Sequence, residues 1–148
     1  MKISSRCDYA CRALAELALN YARKEPTQIA RIAKNQDIPG KYLVHILNQL
    51  RRAGLVASKR GKVGGYSLAK KPQDVSLALI IRVIDGPLLS TLCVDEASRR
   101  RCSKAEICPF RDVWNDVDKA MTGVLDNITL EEIAGKLRTC RQEAMYHI

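Results

Sequence analysis

Two strand-like runs, Leu55-Val56-Ala57-Ser58 and Tyr66-Ser67-Leu68, flank the loop Lys59-Arg60-Gly61-Lys62-Val63-Gly64-Gly65, and this basic, glycine-rich hairpin restricts the folds open to the chain more than any other segment. Its three glycines permit a tight backbone, and three cations are left at the tip. The hairpin follows directly on a helical segment, Lys41 to Arg52, whose Leu43, Ile46, Leu47 and Leu50 share one face; Pro39-Gly40 opens that segment and Gly54 stops it. Upstream, Thr27 is expected to N-cap a short helix, Gln28 to Lys34, closed by a turn over Asn35 to Pro39. Before it, Ala10, Ala13, Leu14, Leu17, Ala18 and Tyr21 recur three and four residues apart and predict an amphipathic helix over Arg6 to Tyr21. Helix, short helix, turn, helix, basic hairpin is the order of a winged helix-turn-helix.

Past Lys71-Pro72 the pattern is helical. Leu77 to Ile84 predicts an apolar helix ended by Gly86-Pro87, and residues 88–108 lack a sustained period. Pro109 suits the first turn of a helix running to about Asn127. In it Phe110, Trp114, Val117, Met121, Val124 and Ile128 recur at steps of 4, 3, 4, 3 and 4, an average of 3.5 residues that suits a coiled-coil seam. The seam predicts a homodimer; the alternative is a core stripe within one chain. Thr129-Leu130-Glu131-Glu132 reads as the capping box of a last helix, through Leu137 or beyond. The expected fold is mainly α with a small β-wing. Residues 1–72 form a winged helix-turn-helix, and residues 73–148 carry a cysteine loop and the dimerisation helices.

Charge divides the chain at the same place. The net charge of +9 conceals +11 over residues 1–72 and −2 over the remainder, so a polyanionic partner belongs to the first part. Lys41, His45, Asn48 and Arg52 lie opposite the leucines of their helix, with Tyr42 and Gln49 on its flanks. Cations there suit phosphates, and Asn, Gln, His and Lys suit base edges in a major groove. Lys41, Tyr42 and His45, nearest the helix start, are the candidates for specificity. Arg60 and Lys62 on the wing suit a minor groove or the flanking backbone, and Gln28, Pro39, Gly40, Lys59, Gly64 and Gly65 complete the candidate DNA contacts.

Three cysteines, Cys93, Cys102 and Cys108, stand as C-x8-C-x5-C in the aperiodic stretch. Thiolates select soft metals, and three on one loop can wrap an iron-sulfur cluster while leaving a fourth position for another ligand. Arg99, Arg100 and Arg101 lie between the first two cysteines, as stabilising cations or a solvated charge run. Cys7, Cys11 and Cys140 read first as packed or surface thiols. No C-x-x-C redox motif and no Ser, His and carboxylate constellation points to an enzyme; the histidines are His45 and His147. No apolar run approaches the roughly 18 residues of a spanning helix, and no secretory leader is read, so a cytoplasmic protein without membrane partners is expected.

The strings Ile38-Pro39-Gly40-Lys41-Tyr42-Leu43, Gly54-Leu55-Val56 and Arg60 to Leu68 resemble the Rrf2 family of bacterial winged-helix regulators. Asp8-Tyr9-Ala10 and Asn127-Ile128-Thr129-Leu130 extend the resemblance over nearly the whole chain, the final dozen residues excepted. It implies a dimer on a partly palindromic double-stranded DNA operator, with the helix from Pro109 as the dimer interface. It also implies an iron-sulfur cluster, [4Fe–4S] in preference to [2Fe–2S], on Cys93, Cys102 and Cys108. In the cluster-assembly branch the fourth ligand is a histidine three residues past the last cysteine; here that position is Arg111. In the nitric-oxide-sensing branch it is an aspartate of helix 1 from the partner subunit. That assigns the fourth position to Asp8, with Cys7 and Cys11 as alternatives. Some relatives lack a cluster and respond through thiol oxidation or a protein partner.

Overall fold

The computed structural model describes residues 3–61, 63–89 and 107–146. Helix α1 spans Ser5–Leu19 and is followed by a 3-10 turn, Tyr21–Arg23; α2 spans Ile29–Gln36, α3 Gly40–Arg52, and strands β1 (Val56–Lys59) and β2 (Gly65–Leu68) form the wing. Three further helices are α4 (Leu77–Ile84), α5 (Phe110–Asp126) and α6 (Leu130–Tyr146).

Helix α1 is the axis of the molecule, packing against α2, α3, α4, α6 and β2. Its buried Ala10, Ala13, Leu14 and Leu17 meet Ile32 of α2 and Leu43, Ile46, Leu47 and Leu50 of α3 in one core. The same core takes in Ile80, Ile81 and Ile84 of α4 and Leu130 and Ala134 of α6. The division by charge near residue 72 is therefore not a division of the core.

The start of α1 is fixed by Ser4, whose hydroxyl accepts from the Cys7 N–H at 3.0 Å in N-cap geometry. Asp85, just past α4, accepts from both the backbone N–H (3.0 Å) and the hydroxyl (2.5 Å) of Ser4. Arg6 donates to the Ile84 carbonyl at 2.7 Å, so the end of α4 and the start of α1 are joined twice.

Thr27 does not cap α2, as the sequence predicted. The N-cap is Gln28, which makes no side-chain capping bond, and Thr27 is buried in an isolated antiparallel bridge to Tyr66. The two residues exchange backbone bonds of 2.7 and 2.9 Å, so the wing has recruited the residue that local preference assigned to the helix. The strands themselves pair antiparallel, Val56 with Leu68 through Lys59 with Gly65.

Ile128 departs from the expected seam. Asn127 caps α5, its amide donating to the Gly123 carbonyl at 2.7 Å, and Ile128 lies beyond it in a connector whose carbonyl accepts from Leu77 N–H at 2.8 Å. The capping box of α6 is half formed. Thr129 Oγ1 accepts from the Glu132 N–H at 3.3 Å, while the Glu132 carboxylate pairs with Lys136 at 2.6 Å. Among the described residues no helix is long and apolar enough to cross a membrane.

Candidate nucleic-acid interface and cysteine site

On α3 the leucine face is buried, and Lys41, Tyr42, His45 and Arg52 are exposed on the other side, with Asn48 half-buried between them. Pro39 is the N-cap and Gly40 the first helical residue, both exposed, so the helix presents an open first turn. Gln49 is committed elsewhere: its amide donates to the Val83 carbonyl at 2.8 Å and pins α3 to the last turn of α4.

A cleft of about 470 Å³ separates the start of α2 from the wing. Gln28, Lys59, Arg60, Gly64 and Gly65 line it, and so does Arg51, which the sequence reading passed over in favour of Arg52. Arg51 donates to Ser58 Oγ at 3.3 Å and so lies along the base of the wing. Helical periodicity ranks the two arginines alike as exposed, and only the folding back of the hairpin distinguishes them. Lys62 lies outside the described residues. At Gly65 a β-carbon would stand 2.5 Å from the Thr27 carbonyl oxygen, a backbone atom with no room to yield. The close approach that builds the cleft therefore requires glycine there.

Of the predicted cluster ligands, Cys93 and Cys102 lie outside the described residues, as do Arg99, Arg100 and Arg101. Cys108 is half-buried immediately before α5, and its carbonyl accepts from Arg111 N–H at 3.3 Å. On α1, Cys7 is fully buried and Cys11 half-buried. Interaction with Cys7, one turn away, and burial push the Cys11 thiol up. Asp8 faces outward, its side chain 48% exposed, and is held by Arg12 at 2.8 Å. An exposed i,i+4 pair of this kind is worth only about 0.3–0.5 kcal/mol, so the carboxylate is readily exchanged to another partner. Among the described residues no three His, Cys, Asp or Glu side chains of one chain gather around a common point, so Cys108 and the α1 donors do not form a site by themselves.

Glu16 stands among the buried alanines and leucines of α1. It is 1% exposed and accepts from Asn35 (2.8 Å), Gln36 (2.8 Å) and Arg141 (2.6 Å), joining α1, the end of α2 and α6. Burial pushes its carboxyl up, but the hydrogen bonds from Arg141, Asn35 and Gln36 outweigh burial and hold it below the ordinary carboxylate range.

Helix α5 has no fully buried residue. Phe110, Trp114, Val117 and Val124 are exposed, whereas Met121 and Leu125 pack on the core. Ala120, Met121, Val124 and Leu125 line an apolar hollow on its surface.

An open-faced α3 with a wing folded beside α2 defines a winged-helix DNA-binding transcription regulator. The profile of the Rrf2 family, described as iron-dependent transcriptional regulators, matches residues 3–136, and the chain belongs to that family. An Rrf2-like helix-turn-helix regulator of Rhodobacter capsulatus is 38% identical over 136 residues, covering 88% of this chain and 91% of the relative. Among solved structures, CymR, the global cysteine regulator of B. subtilis, is 33% identical with a TM-score of 0.73, covering 92% of this chain and 98% of its own. IscR of T. potens is 32% identical with a TM-score of 0.72, covering 93% and 88%. These relatives are transcription regulators, and the chain is a regulator rather than an enzyme.

Proposed function

We propose that the chain is a homodimeric regulator whose operator affinity is set by an iron-sulfur cluster on Cys93, Cys102 and Cys108, with Asp8 of a second copy as the fourth ligand. The observation that carries this reading is the contrast along α1: the Asp8 side chain is half exposed and weakly held, while Cys7 is fully buried. A donor reaching across a dimer must reach solvent, a condition that Asp8 meets and Cys7 does not. Likeness to IscR and the family's description as iron-dependent support a metal at the thiolates. The exposed apolar face of α5, Phe110, Trp114, Val117 and Val124, supports pairing along that helix; Met121 packs partly on its own core, and Ile128 follows half-buried just past the helix end.

Residues 1–72 serve the operator, a partly palindromic duplex. Lys41, Tyr42 and His45 enter a major groove, and Asn48 and Arg52 stand behind them. Gln28, Pro39 and Gly40 meet phosphates, and Lys59, Arg60 and Lys62 reach the flanking backbone past Gly64 and Gly65. When bound, a [4Fe–4S] cluster supplies iron open to nitric oxide, oxygen or iron depletion. Asp8 then acts as an exchangeable tie between the cysteine segment of one chain and α1 of the other. A hundredfold change in operator affinity requires the two states to differ by about 2.8 kcal/mol.

Anaerobic purification with iron and sulfide analysis tests this reading. The wild type is expected to be coloured and to hold both elements, Cys102→Ala to hold neither, and Asp8→Ala to lose its cluster faster under oxygen or nitric oxide. A colourless wild type without iron overturns the cluster. Likeness to CymR favours a second reading, a cluster-free regulator responding by thiol oxidation or a protein partner; such a protein is iron-free, and its operator affinity changes with peroxide or with the partner.

A further inference from the structure

Where the far end of α6 meets the end of α1 and the start of α2, a cavity of about 250 Å³ is lined by Arg23, Arg31, Arg138 and Arg141 and by one carboxylate, Glu16, with Leu19 and Met145. The four guanidiniums come from the 3-10 turn, α2 and α6. Arg141 is paired with Glu16. The other three have no carboxylate partner among the described residues. Arg23, Arg31 and Arg138 are exposed at its rim, where cations converging on one hollow repel one another. A counter-anion removes that cost, and the forked guanidinium donors match its oxygens two at a time.

We propose that this cavity binds a small oxyanion of two or more negative charges, a phosphate or a polycarboxylate. Its volume falls below the roughly 300–1,000 Å³ of pockets for larger ligands, which limits the occupant to a small species. The cavity shares no lining residue with the cleft beside the wing, and a concave site suits a compact ion better than the backbone of a duplex. Arg138 and Arg141 lie beyond residue 136, where the family match ends, so the α6 wall is not part of the matched region. An anion held there bridges α6 to α1 and α2 beside the Glu16–Arg141 pair, and so fastens the C-terminal helix to the helix-turn-helix.

Thermal unfolding of the full chain in inorganic phosphate and, separately, in citrate, each against chloride at matched ionic strength, tests the site. We expect a saturable rise in Tm with phosphate, citrate or both, the responding ion identifying the class. Arg31→Gln/Arg138→Gln, two exposed positions, should fold and bind the ion about tenfold more weakly or worse. No saturable rise over chloride in the wild type, or an equal rise in the double variant, overturns the proposal. So does a double variant that keeps its ion response but loses operator affinity, with the salt slope falling by about 0.9 per arginine, because these guanidiniums then serve DNA phosphates.

Discussion

A single carboxylate, Glu16, is where charge, burial and long-range connection coincide. Because its folded pKa is lowered, its contribution to stability is fully present above the ordinary value of 4.5 and is lost as pH falls through the lower folded value. Thermal unfolding followed from pH 7 to pH 3 should therefore show a decline below about pH 4.5, and Glu16→Gln should flatten that limb. At neutral pH the same substitution is expected to cost about 1–3 kcal/mol in urea unfolding, since it presents an amide to two amide donors and a guanidinium that had a charged acceptor. Equal acid limbs in the two proteins would mean that other carboxylates dominate. Sequence alone could not assign this role: Glu16 sits in an apolar run, and its ionic partner is 125 residues away.

At the scale of elements, the wing depends on an approach no side chain tolerates. Gly65→Ala should displace β2 from Thr27, cost about 1–3 kcal/mol of stability and weaken operator binding measured by fluorescence anisotropy. Helix α5 makes the opposite demand, for cover rather than space. Trp114→Glu is expected to convert a dimer to monomer in sedimentation velocity while the far-UV circular dichroism of the folded chain persists; an unchanged dimer would remove this face from the interface. Much of this level was legible in advance. Leu77 to Ile84 is found at its expected bounds, and α3 and α5 fall within a residue or two of theirs, because proline, glycine and apolar period are local signals. The grip of Ser4 on Asp85 and the diversion of Thr27 into a bridge were not legible, because each depends on a strand or helix end distant in sequence. Of the candidate sites, Gln28 was named as a DNA contact but its place beside the wing, like that of Arg51, came only from the folded geometry.

For the molecule as a whole, DNA binding by a chain of net charge +9 is governed by counterions. Arg60→Ala is expected to weaken operator binding and to reduce the slope of log affinity against log salt by about 0.9, the signature of one phosphate contact. An unaltered slope would place Arg60 away from the backbone. The bonds at the end of α4 bear on the same surface. Gln49 fastens α3 to Val83, Arg6 reaches Ile84, and Ser4 grips Asp85, a few residues before the stretch that carries Cys93. Lys41 stands eight residues before Gln49, at about 1.5 Å each, so the leading end of α3 lies roughly 12 Å from that pin. A tilt of about 5° there carries its leading end by about 1 Å, a third of a hydrogen-bond length. Leu43, Ile46, Leu47 and Leu50 bury that helix in the core, so a rotation of this size is shared with the helices packed against it.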